Sequence, residues 1–309
     1  MPYLSMIKVF GHFSPDTDAT GSAIVWAWYL SNHTGVEATP YILGELNKET
    51  EFVLSRWNVE SPALLESVST DDSVVIVDTN NPQELFENIN ETDIIQIIDH
   101  HKLVGGLTTQ RPIDITLRTL ASTASVIYEL IGDEELPEHI AGILLACILS
   151  DTLGFRSPTT TPQDKDIAEK LANQLDIDIT QYASEMFAAK SDVSSFTDSG
   201  LITLDSKKFA IGEMNVRVSV IETTNPETVL ERKDGIVSAI NEAVASESDV
   251  DEVLFFIVDI LKEEATVLTY NETVKDIIEK SFSVTVESDT EVLPGIVSRK
   301  KQILPSLKV

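Results

Sequence analysis

Met6-Ile-Lys-Val-Phe-Gly-His-Phe-Ser-Pro-Asp-Thr-Asp18 is the stretch that decides the fold. Its apolar start, residues 6–10, has the length and residue types of a strand, and Gly11 breaks it into a polar loop. Residues 19–31 then read as a helix. A strand that passes through a loop into a helix is half of a βαβ unit, and the pattern returns down the chain. Residues 73–77 and 94–98 read as further strands. Residues 122–130, 138–149 and 161–175 read as further helices, the last with Pro162 in its first turn. This alternation predicts an α/β fold whose N-terminal domain has a mainly parallel sheet flanked by helices.

Around residues 190–200 the composition shifts to Ser, Asp and Thr, as in Ser191-Asp-Val-Ser-Ser-Phe-Thr-Asp-Ser-Gly200. This predicts a flexible linker at 191–199 between a first domain, 1–190, and a smaller mixed α/β C-terminal domain, 200–309. In the latter, residues 209–212, 215–221 and 253–261 read as strands and 227–246 as helical.

Composition narrows the function. The chain has 309 residues and a formal charge of -29, so it offers no broad basic face to a phosphate backbone, and nucleic acid is not expected as a partner. An anionic substrate would need cations gathered locally, as bound metal or as clustered Lys and Arg. The single cysteine, Cys147, lies in an apolar run and reads as packing. No apolar stretch approaches the roughly 20 residues of a membrane helix, and residues 1–7 lack the features of a signal peptide. A cytoplasmic location is therefore expected, and the Asn-x-Thr triplets at Asn32, Asn90 and Asn271 are chance matches. No glycine-rich phosphate loop is present.

The chemistry collects where the apolar runs end. His12, Asp16 and Asp18 follow the first, Asp78 the second, Asp99-His100-His101 the third, and Ser150-Asp151 the apolar run 143–149. In an open parallel sheet such ends converge on one crevice. Taken singly, Asp16 and Asp18 suit a helix cap, Asp78 a cap for the turn at Asn80-Asn81-Pro82, and Asp151 a helix end. Adjacent imidazoles directly after a buried strand suit packing poorly. The set His12, Asp16, Asp18, Asp78, His100 and Asp151 offers nitrogen and oxygen donors without thiolate, which suits Mn²⁺, Mg²⁺ or Co²⁺ and can hold two ions if one carboxylate bridges. Two neighbouring dications are a standard device for phosphoryl hydrolysis. Asp99 suits an acceptor that orients an imidazole. Ser298-Arg299-Lys300-Lys301-Gln302 gathers three cations near the end of the chain, and Lys207-Lys208 is a second basic patch.

Gly-His-x-x-Pro-Asp-Thr-Asp at 11–18, Asp-His-His at 99–101, Ser-Asp-Thr at 150–152 and Ser-Arg-Lys-Lys-Gln at 298–302 together resemble the family II inorganic pyrophosphatases of the DHH phosphoesterase superfamily. The motifs span nearly the whole chain. The resemblance implies that His12, Asp16 and Asp78 hold one Mn²⁺ or Co²⁺ and that Asp18, Asp78, His100 and Asp151 hold another, two ions per subunit, with additional Mg²⁺ arriving on pyrophosphate. It implies that a metal-bridging hydroxide attacks phosphorus, that His101 is the general acid, and that Lys207, Arg299 and Lys300 bind the substrate. It also implies a homodimer formed through the first domain, and with ligands on one domain and cations on the other, closure around substrate is expected. Two departures from the family pattern stand out: Thr79 replaces the usual His after the bridging Asp, and Phe13-Ser14 replaces Gln-Asn. Two other readings compete. A nuclease-like member of the superfamily would carry a His-containing, glycine-rich motif in the second domain, but the chain has no His after His139. A silent metal-binding protein would bind Mn²⁺ and release no phosphate.

Overall fold

The computed structural model describes residues 6–132, 134–212 and 214–308, without the side chains of residues 300 and 301. It divides into two compact units, Met1–Ala189 and Lys190–Val309.

In the first unit the described residues form a six-stranded sheet in which every pairing is parallel. Its strands are β1 (Ile7–Phe10), β2 (Ala38–Ile42), β3 (Ala63–Leu64), β4 (Ser73–Val77), β5 (Asp93–Asp99) and β6 (Asp114–Leu117). The helices are α1 (Thr17–Tyr29), α2 (Lys48–Arg56), α3 (Thr123–Ile131), α4 (Glu138–Asp151), α5 (Pro162–Leu175) and α6 (Ile179–Lys190). β4 reads Ser-Val-Val-Ile-Val and every residue of it is buried, as expected of a strand covered on both faces. α4 is apolar all round, and its residues from Ile140 to Ser150 are buried, so it is an internal helix rather than an amphipathic one. Gly21 of α1 permits that packing, because a Cβ there would stand 2.2 Å from Cys147 Sγ and 2.8 Å from Ile143 Cγ2 of α4.

The strand order β3-β2-β1-β4-β5-β6 locates the site. The chain runs outward on one side of β1, returns, and runs outward on the other, so the order reverses between β1 and β4. Ligands of open parallel sheets bind at the carboxyl ends of the strands flanking such a reversal. His12 follows β1 and Asp78 follows β4.

The second unit holds a five-stranded sheet, order β11-β10-β9-β8-β7. Its strands are β7 (Ser206–Ile211), β8 (Met214–Thr223), β9 (Glu252–Asp259), β10 (Glu264–Leu268) and β11 (Thr290–Pro294). β8 and β9 pair in parallel and the other neighbours antiparallel, so the mixed sheet expected from sequence is present. Its helices include α7 (Asp198–Leu204), α8 (Glu227–Leu230), α9 (Lys233–Ser246) and α10 (Glu272–Phe282). Alternation along β9 builds two cores. Leu254, Phe256 and Val258 pack with Val274 and Ile278 of α10, while Val253, Phe255 and Ile257 pack with Ile236 and Ile240 of α9 and Leu201 of α7.

Several features depart from the sequence reading. Residues 227–246 form two helices, because α8 ends at Leu230 and α9 begins at Lys233. The run at 191–199, expected as a flexible linker, is tied into the second unit. Val193 lies in its core, Arg232 donates to the carbonyls of Val193 (2.8 Å) and Phe196 (2.7 Å), and α7 already begins at Asp198. The first helix begins two residues earlier than read, at Thr17, so that Asp16 is its N-cap and Asp18 lies in its first turn. Among the described residues no helix is long and apolar enough to cross a membrane.

Candidate metal centre

The centre assembles from strand ends and helix ends. Asp78 adopts the left-handed backbone conformation, φ 60°, directly after β4, which turns its side chain off the strand line. Asp tolerates this conformation better than most residues, and the cost is of the order of 1 kcal/mol. The neighbouring turn is capped by Asn81, which accepts from Gln83 N at 3.1 Å, so Asp78 has no capping duty there.

The two Asp78 oxygens face different imidazoles. Oδ2 lies 3.5 Å from His12 Nε2, and Oδ1 lies 3.4 Å from His100 Nε2. Around His12, Asp16 Oδ2 stands 3.8 Å from Nε2; around His100, Asp151 Oδ2 stands 3.7 Å from Nε2. His12, Asp16 and Asp78 form one set of donors mutually within 4.8 Å, and Asp18, His100 and Asp151 form a second. All six expected ligands thus fall into two adjacent sets, with Asp78 contacting an imidazole of each. A third set, Asp78, His100 and His101, also meets that limit. Its His101 Nδ1 is 2.9 Å from Asp99 Oδ1, though, so that nitrogen is already committed.

The carboxylates are held from behind by groups that sequence reading did not identify. Asp18 accepts from Thr123 N (2.6 Å), Ala124 N (3.0 Å) and Ser122 Oγ (2.8 Å), so the N-terminus of α3 grips it. Thr123 Oγ1 donates to Asp78 Oδ1 at 2.9 Å. Asn80 donates to Asp99 Oδ2 (2.5 Å) and to the Lys102 carbonyl (3.1 Å), and its Oδ1 accepts from Val104 N (2.7 Å), which fixes the loop behind His101. Ser122 had a visible signal, a hydroxyl immediately before a helical pattern. Its partner lies 104 residues away, which no local pattern reveals.

Electrostatics explains why the cluster suits cations. Burial and the Asp78 charge push Asp18 up to about 7, and burial with Asp18 and Asp78 pushes Asp151 well above the usual carboxylate range. Burial would raise Asp78 too, but bonds from His100 and His12 outweigh it and hold that group well below the usual range. Burial would lower His12 and His100, yet the Asp78 bonds and neighbouring carboxylates lift both to about 9. Buried carboxylates facing one another, with only nitrogen and oxygen donors between them, fit a pair of hard dications. The residues present therefore fit Mn²⁺.

The expected substrate cations lie in the second unit. Arg299 Nη1 is held by Asp205, 2.9 Å from its carbonyl and 2.8 Å from Oδ1. Lys207 is exposed on β7. Lys208 is bound by Glu247 (2.7 Å) and Asp249 (2.9 Å), which removes it from the basic patch read from sequence. The Lys300 side chain lies outside the described residues. At the position of the usual His, Thr79 Oγ1 donates to Glu84 at 2.7 Å. Phe13 packs edge-on against Phe86, ring centroids 5.3 Å apart.

Comparison with known proteins fits this geometry. The family model "DHH family, N-terminal domain" matches residues 6–148 and the "DHHA2 domain" model matches residues 184–309. The "Manganese-dependent inorganic pyrophosphatase" of Bacillus subtilis (strain 168) is 36% identical over 308 residues, covering 98% of each chain. The "Probable manganese-dependent inorganic pyrophosphatase" of Bacillus licheniformis is 36% identical over 307 residues, again covering 98% of each. The crystal structure of a Methanococcus jannaschii "putative family II inorganic pyrophosphatase" matches with a TM-score of 0.63 and 38% identity, covering 97% of this chain and 98% of that one. On this full-length similarity, the chain belongs to the manganese-dependent, family II inorganic pyrophosphatases.

Proposed function

We propose that this protein hydrolyses inorganic pyrophosphate to two phosphates at a two-ion centre. The observation that carries the reading is Asp78, whose two oxygens face His12 at 3.5 Å and His100 at 3.4 Å. On this reading His12, Asp16 and Asp78 hold one Mn²⁺ or Co²⁺, and Asp18, Asp78, His100 and Asp151 hold the second. Additional Mg²⁺ comes with the substrate. Bound ions would supply an acidified water or hydroxide as nucleophile and would neutralise charge on the phosphate oxygens.

The chain's own groups do the rest. His101 is the general acid: its Nδ1 is engaged by Asp99, and Nε2 is left to deliver a proton to the departing phosphate. The Asp99 bond raises the His101 pKa above its ordinary value against the opposing effect of burial, which favours the protonated form that an acid needs. Arg299, Lys300 and Lys207 stabilise the charge that spreads over the phosphoryl oxygens. Asp205, bonded to Arg299, presets the guanidinium near the start of β7.

We further infer a homodimer formed through the first domain. The open edge strand β6, whose Ile115 is 55% exposed, supports this. Metal-stripped protein resupplied with Mn²⁺, Co²⁺, Zn²⁺ or Mg²⁺ should release phosphate from pyrophosphate, fastest with Mn²⁺ or Co²⁺, and leave short oligonucleotides intact. Cleavage of oligonucleotides in preference to pyrophosphate would favour the nuclease-like alternative.

A further inference from the structure

Two hydroxyls adjoin the candidate ligands in sequence: Thr17, between Asp16 and Asp18, and Ser150, directly before Asp151. The two converge on one acceptor. Thr17 Oγ1 donates to Glu49 Oε1 at 2.8 Å, and Ser150 Oγ donates to the same oxygen. Glu49 lies in the first turn of α2 and is 0% exposed. Its helix is fixed at that end by Asn47, which accepts from Thr50 N at 2.8 Å, and Thr50 Oγ1 is 3.1 Å from Thr17 Oγ1.

A carboxylate fully removed from water is costly, and an apolar side chain would fill the space without that cost. What the carboxylate provides is a bond to each of two helix ends. Thr17 opens α1, whose N-cap is Asp16 and whose first turn carries Asp18; Ser150 and Asp151 close α4. Asp16 belongs to one donor set, and Asp18 and Asp151 to the other. From this convergence we propose that Glu49 is a positioning residue that locks the start of α1 to the end of α4 and so sets the spacing of both metal-binding sets. The inference rests on the two-ion reading above. It also gives the motif hydroxyls a role: Thr17 braces ligands of both sets, whereas Ser150 braces Asp151 alone.

The test is a Mn²⁺ titration of metal-stripped, full-length protein, with free Mn²⁺ followed by electron paramagnetic resonance, for the wild type, Ser150→Ala, Thr17→Val and Glu49→Leu. Thermal melts of the metal-free proteins accompany it. The wild type should take up two ions. Ser150→Ala should weaken one of them by about 10- to 100-fold, the usual range for groups that orient a ligand, and spare the other. Thr17→Val and Glu49→Leu should weaken both, and adding Ser150→Ala to Glu49→Leu should cause little further loss. Lower melting temperatures with wild-type affinities for both ions would make Glu49 purely structural and overturn the proposal. If Glu49→Leu does not fold, the selective loss in Ser150→Ala still decides. A wild type that binds fewer than two ions would remove the two-ion reading and this proposal with it.

Discussion

Single residues set the chemistry of the centre, where imidazoles and carboxylates gather around the buried Asp18 and Asp78. His12 and His100, both lifted to about 9, are protonated at neutral pH without metal, and a protonated imidazole cannot ligate. Mn²⁺ uptake must therefore release protons, and apparent affinity should climb as pH rises toward about 9. Calorimetry in buffers of different ionisation enthalpy would check this; a heat independent of the buffer would contradict it. His101 gives a second prediction. Its raised pKa depends first on Asp99. Activity should fall as pH rises through that value, and Asp99→Asn should move the fall to lower pH. A pH–rate profile with the alkaline limb unmoved would remove Asp99 from that role. The residues of the two donor sets were legible in the sequence because each follows an apolar run. Glu49 and Asn80 were not, since Glu49 sits in an ordinary polar helix start and Asn80 in what reads as a turn, and only tertiary contact gives them partners.

At the scale of elements, helix ends do as much as strand ends. Ser122 caps α3 and donates to Asp18 at 2.8 Å, so Ser122→Ala should cost about 1 kcal/mol of stability and weaken metal binding as well. Melts with and without Mn²⁺ would separate the two effects, and an equal shift in both would mean capping alone. Gly21→Ala would drive a Cβ into Cys147 and Ile143, costing about 1–3 kcal/mol and displacing α1 from α4. Strand periodicity located β1, β4 and β5 within a residue or two, because those strands are apolar and bounded by polar breaks. β2, Ala-Thr-Pro-Tyr-Ile, and β6, Asp-Ile-Thr-Leu, escaped the reading because they are short and half polar. β10, Glu-Ala-Thr-Val-Leu, and β11, Thr-Glu-Val-Leu-Pro, escaped for the same reason.

At the scale of the whole molecule, the charge of -29 is a destabilising self-repulsion at low ionic strength. Added monovalent salt should raise the melting temperature, most steeply below about 0.1 M, where the screening length shortens fastest. A melting temperature that falls with salt would point to stabilising ion pairs instead. The cations of the second unit are better tested by substitution than by truncation after Val297. Ile303 is fully buried in that unit's core, and its loss would damage folding. Arg299→Ala should retain both Mn²⁺ ions and lose about 10²- to 10³-fold in kcat/KM.

If Asp78 stands between two ions, anomalous diffraction from Mn²⁺-loaded crystals will show it. Two peaks are expected about 3.5–4 Å apart, each within bonding distance of an Asp78 oxygen, one beside His12 and one beside His100. A single peak, or two peaks that do not share Asp78, would contradict that arrangement.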